Sequence, residues 1–109
     1  MYELFELSNC EAENGLKLLY VTCFRSERPW HGIRHAHDFL EIFFCVGGQC
    51  EFGVRDRSFS MLSRQFVIIS PGVEHTECTV PSASVEWIVL GTKGCDITLP
   101  NTADGYFVA

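Results

Sequence analysis

Positive charge is scarce in this chain. Its 109 residues carry 8 Lys and Arg against 14 Asp and Glu, a formal net charge of −6, so the average field repels a phosphate backbone and direct binding of nucleic acid is not expected. Long apolar runs are also missing, and the opening Met1-Tyr2-Glu3-Leu4-Phe5 has no basic stretch leading into a secretory apolar segment. A cytoplasmic protein without membrane contact is expected. No Cys-x-x-Cys pair is present, which argues against a zinc knuckle, and there is neither a glycine-rich phosphate loop nor a serine or cysteine in a nucleophile motif. Helical periodicity is lacking throughout. Histidine is rare too, with four in the chain.

A hydrophobic content of 47% lets a single domain of residues 1–109 bury a core without staples. Without a secretory signal, Cys10, Cys23, Cys45, Cys50, Cys78 and Cys95 are expected to be free thiols, several of them acting as small core hydrophobes. Segments 16–24, 39–46, 49–54, 66–70 and 85–90 read as strands between turn-forming residues, with a shorter one at 59–62. Gly47-Gly48 has the spacing of a tight hairpin, and Ser70-Pro71-Gly72 closes a strand in a turn. Short strands at regular spacing imply an all-β antiparallel sandwich or barrel. After residues 100–105 the chain turns apolar again at Tyr106-Phe107-Val108 and stops at Ala109, the pattern expected of a piece cut from a longer protein.

Three of the four histidines fall in two short strings, His35-Ala36-His37-Asp38-Phe39-Leu40-Glu41 and Pro71-Gly72-Val73-Glu74-His75. In one extended strand His35, His37 and Glu41 share a parity and point to one face, whereas a helix would throw His35 to the far side. The aromatic and β-branched residues around them favour the strand. Cys78 has odd parity with His75, so on a common strand its thiol is expected to face away.

His35-x-His37-x-x-x-Glu41, with Gly48 after six further residues, resembles the first motif of the cupin superfamily. Pro71-Gly72-x-x-His75 resembles the second motif in the form common among AraC-type transcription regulators, and Val85-Glu86-Trp87-Ile88-Val89-Leu90-Gly91 resembles the strand that follows in their N-terminal sensor domains. The resemblance covers roughly residues 30–94. Two departures stand out: Arg64-Gln65 replaces the usual Gly-Asp before the second motif, so that turn must be built differently, and Thr79 replaces a frequent asparagine.

The resemblance implies a cupin-type antiparallel β-barrel (a double-stranded β-helix or jelly roll), truncated at its C-terminal end. It implies that His35, His37, Glu41 and His75 converge inside on a divalent metal. Three imidazoles and a carboxylate suit Zn, Ni, Fe, Mn or Cu and leave positions open for water or a ligand. The competing expectation is a polar cluster without metal. Arg34, Phe43 and Trp87 are the candidate ligand-pocket residues, with Trp30 a further aromatic, although aromatics in a small β domain also serve as plain core. The function implied is the effector-sensing domain of an AraC-type transcription regulator, whose effector is a small molecule such as a sugar. DNA would be contacted only by a missing C-terminal helix-turn-helix domain, and a homodimer is compatible with this reading. The alternative is a small metal-dependent cupin enzyme, a dioxygenase or an isomerase.

Overall fold

The computed structural model describes residues 2–6, 15–26, 32–79, 84–94 and 106–109. Among these residues eight strands run in chain order: β1 (Tyr2–Glu6), β2 (Lys17–Ser26), β3 (Leu40–Val54), β4 (Arg57–Leu62), β5 (Phe66–Ile69), β6 (His75–Thr79), β7 (Val85–Lys93) and β8 (Tyr106–Val108). Every strand pairing is antiparallel, and no helix occurs among the described residues. The all-β antiparallel expectation is met.

The 15-residue β3 organises everything else. Its first half lies between β7 and β5 in the sheet β1-β2-β7-β3-β5-β8, and its second half lies between β4 and β6. The hairpin expected at Gly47-Gly48 is therefore corrected: the chain does not reverse there but passes from one sheet into the other. The register against β7 slips between Cys45 and Gly47, and Gly48 takes φ +81°. A β-carbon on Gly48 would lie 2.0 Å from the Ser84 carbonyl oxygen, so only glycine fits. The extra residue also switches the inward parity. Before the bulge Glu41, Phe43 and Cys45 are buried, and after it Cys50, Phe52 and Val54 are. A slip of one residue exchanges the two faces of a strand, so the bulge lets both halves keep an apolar inner side while the strand bends around the core.

That core joins Phe24, Phe43, Cys45, Cys50, Phe52, Val54, Met61, Val67, Ile69, Val73, Val85, Trp87 and Val89. Cys45 and Cys50 are fully buried free thiols and Cys23 is free as well, as expected, while Cys10, Cys95 and the side chain of Cys78 lie outside the described residues. Burial pushes the Cys45 thiol further up in pKa, which suits a packing role.

The turn at Arg64-Gln65 explains how the usual Gly-Asp is replaced. Arg64 takes φ +71°, a left-handed conformation that its β-carbon disfavours, and three hydrogen bonds hold it: Gln65 N donates to Leu62 O (3.0 Å), Arg64 N to Cys45 O (2.8 Å), and Leu62 N to the Gln65 side-chain oxygen (2.8 Å). Arg64→Gly should therefore stabilise the domain by about 0.5–1 kcal/mol, because the left-handed strain it removes, about 1–2 kcal/mol, outweighs the extra conformational entropy of glycine in the unfolded chain, about 0.5–1 kcal/mol. Urea unfolding would check this through a higher midpoint at unchanged slope.

Candidate metal and ligand site

Segment 32–37, which precedes β3, lies beside the start of β6. His35 and His75 form an antiparallel bridge with paired backbone bonds of 3.0 and 2.9 Å, and Gly32 N donates to Glu77 O at 2.9 Å. Next to it, Ser70-Pro71-Gly72-Val73 makes the turn that starts β6: Val73 N donates to Ser70 O at 3.3 Å, proline presets the first corner, and Gly72 supplies φ +79° at the second. Gly72 N also donates to His37 O at 2.6 Å, which ties the two motif segments together.

The single strand expected through His35, His37 and Glu41 is corrected. β3 begins at Leu40, and the chain bends at Asp38-Phe39 between the bridging segment and the strand. The four side chains converge all the same. One ligand atom from each of His35, His37, Glu41 and His75 lies within 4.8 Å of the others, close to the ~4.2 Å that separates opposed ligands around an ion with bonds of ~2.1 Å. His37 Nε2 and His75 Nε2 each lie 2.9 Å from Glu41 Oε1.

The backbone sets the tautomers. His35 Nδ1 is 2.6 Å from Ile33 O, and His75 Nδ1 is 2.9 Å from Val73 O. A carbonyl can only accept, so each Nδ1 carries the proton and each Nε2 presents a lone pair inward. For a neutral His75 that lone pair faces the Glu41 carboxylate across 2.9 Å, an arrangement that a proton or a metal ion between them relieves. The donor set thus fits a divalent cation.

Two strands supply a partner for the other Glu41 oxygen. The Tyr20 hydroxyl donates to Glu41 Oε2. Tyr20 on β2 and Glu41 on β3 are both register partners of Gly91 on β7, and a β-carbon on Gly91 would collide with the Tyr20 ring at 2.4 Å. Gly91 is the gap through which the tyrosine crosses a strand to reach the carboxylate. Neither Tyr20 nor its need for Gly91 was visible from local motifs, because the contact depends on strand order.

Burial pushes the Glu41 carboxyl up, but the bonds from His75 and Tyr20 and the neighbouring imidazoles outweigh it and hold its pKa below the usual value. Burial likewise pushes His75 down, yet Glu41 and the Val73 carbonyl outweigh it and leave the pKa raised. For His37 burial prevails, helped by the nearby His35 and His75, and the pKa falls despite Glu41. A further carboxyl, Glu77, sits on the inner face of β6, where burial raises its pKa against the pull of His75 and His35. Its His-x-Glu spacing from His75 carries the inward parity and was the signal that could have found it.

The candidate pocket residues have separate fates. Phe43 is 2% exposed, with its ring 5.8 Å from His75 and 4.8 Å from Phe52, so it floors the cluster. Trp87 is 3% exposed and stacked on Phe24 at 4.4 Å, inside the core. Arg34 lies over the outward side of Gly53, in an outer cleft shared with Arg55 and Thr76; its Nη1 donates to Arg55 O (2.8 Å) and pairs with Glu74 (3.2 Å). Trp30 lies outside the described residues.

Among the described residues, eight antiparallel strands in this order carry a His/Glu cluster on their inner face, and the fold is that of solved cupin structures. The sequence model of the AraC-like ligand binding domain matches residues 18–92, and the chain belongs to that family. No curated protein sequence matches it. Among solved structures, YhaK from Escherichia coli superposes with a TM-score of 0.77 at 10% identity, over 100% of this chain and 50% of that one. The pirin YhhW from Escherichia coli, solved in complex with nickel(II), gives 0.71 at 16% identity, over 99% of this chain and 50% of that one. A cupin family protein with a double-stranded β-helix fold from Methanocaldococcus jannaschii gives 0.66 at 13% identity, over 84% and 79%. The chain thus spans half the length of YhaK and YhhW, and at these identities the likeness is one of fold.

Proposed function

We propose that this domain is the effector-sensing barrel of an AraC-type transcription regulator, binding a small molecule, and a divalent metal at His35, His37, Glu41 and His75. The observation that carries this reading is the complete four-residue cluster on the inner face of a domain of the AraC-like ligand binding family. Such a barrel converts effector occupancy into a shift between conformations of the whole regulator, and DNA contact belongs to a separate helix-turn-helix domain. The net charge of −6 agrees with that division. A bound metal would supply an electrophilic centre with open positions for an effector oxygen or nitrogen. The same open positions favour the competing reading, a metal-dependent cupin enzyme. No helix of the described residues is long and apolar enough to cross a membrane.

Binding without turnover is the expected result. The metal-loaded domain, screened against small metabolites, should show ligands that raise its melting temperature by mass action and are recovered unchanged. Steady multiple-turnover consumption of oxygen or of a metabolite, abolished by His37→Ala, would transfer the assignment to an enzyme. A specific, salt-sensitive shift of duplex DNA by residues 1–109 alone would contradict the proposed division of labour.

A further inference from the structure

Glu77 takes no part in the four-residue cluster, yet it shares the inner face. On β6 it is two residues from His75, and across the ladder it pairs with Phe52, which is 1% exposed, as His75 pairs with buried Val54. Directly opposed residues in an antiparallel pair point to the same side, so His75 and Glu77 stand next to each other on the inner wall. Glu77 Oε2 is enclosed and finds no hydrogen-bond donor among the described residues. An enclosed carboxylate oxygen without a donor is costly, and such groups call for a specific explanation.

We propose that Glu77 is the specificity residue of the barrel, accepting a hydrogen bond from a hydroxyl or ammonium group of the ligand and selecting against ligands that present an anion there. This deepens the ligand-binding reading and rests on it. The inner wall holds two carboxylates, Glu41 and Glu77, whereas the guanidinium of Arg34, the cationic member of the candidate pocket residues, lies over the outward side of Gly53 and is engaged with Arg55 and Glu74. Glu41 Oε2 already accepts from Tyr20 and its Oε1 is faced by His37 and His75, which leaves Glu77 as the acceptor for an incoming donor. Phe52, its cross-strand neighbour, is buried in the core, so the wall across the ladder from Glu77 is apolar.

The test uses three probes that share one hydroxyl and differ in the other head group: ethanolamine, ethylene glycol and glycolate. Each is titrated up to high millimolar concentration at pH 8 into the zinc-loaded and the untreated domain, following the histidine ring nitrogens by NMR. In Glu77→Gln the ratio of ethanolamine to glycolate affinity should fall at least about tenfold, the scale of one charge-assisted hydrogen bond. Metal content should stay near wild type, because Glu77 is not one of the four clustered ligands. A ratio within threefold of wild type overturns the proposal, and so does failure of ethanolamine to perturb the rings of the wild-type domain. Thermal melting supplies the second measurement. If the carboxylate is kept for a ligand, Glu77→Gln and Glu77→Met leave the ligand-free midpoint unchanged or raised. A fall of about 5 °C or more in both would show that Glu77 serves the fold instead. Turnover by the domain would refute the sensor reading without altering these equilibrium ratios, so the two failures are separable.

Discussion

Glu41→Gln should cost the domain its metal. The carboxylate is the one anionic member of the cluster, it is 4% exposed, and it stands 2.9 Å from both His37 Nε2 and His75 Nε2. Partners that only orient a ligand are worth about 10–100-fold in metal affinity, so loss of the anionic ligand itself should exceed about a hundredfold. Competition with a chromophoric chelator at pH 7.5 would measure this. Tyr20→Phe gives the graded comparison: it removes only the donor to Glu41 Oε2 and should fall within the 10–100-fold range. Equal losses in the two variants would mean that Glu41 acts through the fold, and full metal content in Glu41→Gln would refute the site. Glutamine is chosen because it retains the shape of the glutamate and can still accept from Tyr20, which limits damage to packing.

The fold was legible where one residue type meets one local demand. Runs of apolar, β-branched and aromatic residues at 66–69 and 85–89 marked strands, whose burial alternates in the structure, and Pro71-Gly72 marked a turn whose second corner needs a positive φ. Gly47-Gly48 was misleading because the same pair serves a hairpin or a bulge, and the choice depends on Ser84, some 36 positions away, whose carbonyl packs against Gly48. The four clustered residues were legible because both motifs carry their spacing in the chain. The reason they converge was not: parity suggested one strand, whereas a bend at Asp38-Phe39 and the bridge from His35 to His75 accomplish it. Tyr20 escaped because it reaches the site only across a neighbouring strand, at Gly91, whereas Glu77 was legible in its His-x-Glu spacing from His75, which carries the inward parity of β6.

The largest pH effect should appear in the histidines of the metal-free domain, and it should split them. His75, raised by Glu41 and the Val73 carbonyl over the opposing effect of burial, should titrate above the ordinary 6.5, and His37, lowered chiefly by burial, below it. The two have opposite consequences for folding. Because the folded pKa of His75 lies above the unfolded value, its contribution to stability is fully present below pH ~6.5 and is lost as pH rises through the folded pKa. Because that of His37 lies below, protonation disfavours the fold as pH falls through ~6.5 toward the folded pKa. Glu41, held below its ordinary value, adds stability that is present above pH ~4.5 and disappears as pH falls through its folded pKa. Metal reverses the role of His75. A metal ion must displace the His75 proton to reach its lone pair, so as pH falls affinity should begin to weaken while the pH is still above ~6.5, earlier than for an unperturbed imidazole, with proton release on binding near neutral pH. Ring 15N NMR across pH 5–9, with and without zinc, would read all of this: two separated titrations without metal, and neither within the range where zinc stays bound. If His75 titrates below His37 in the metal-free domain, the bond to Glu41 is not holding a proton, and the electrostatic account of the cluster fails.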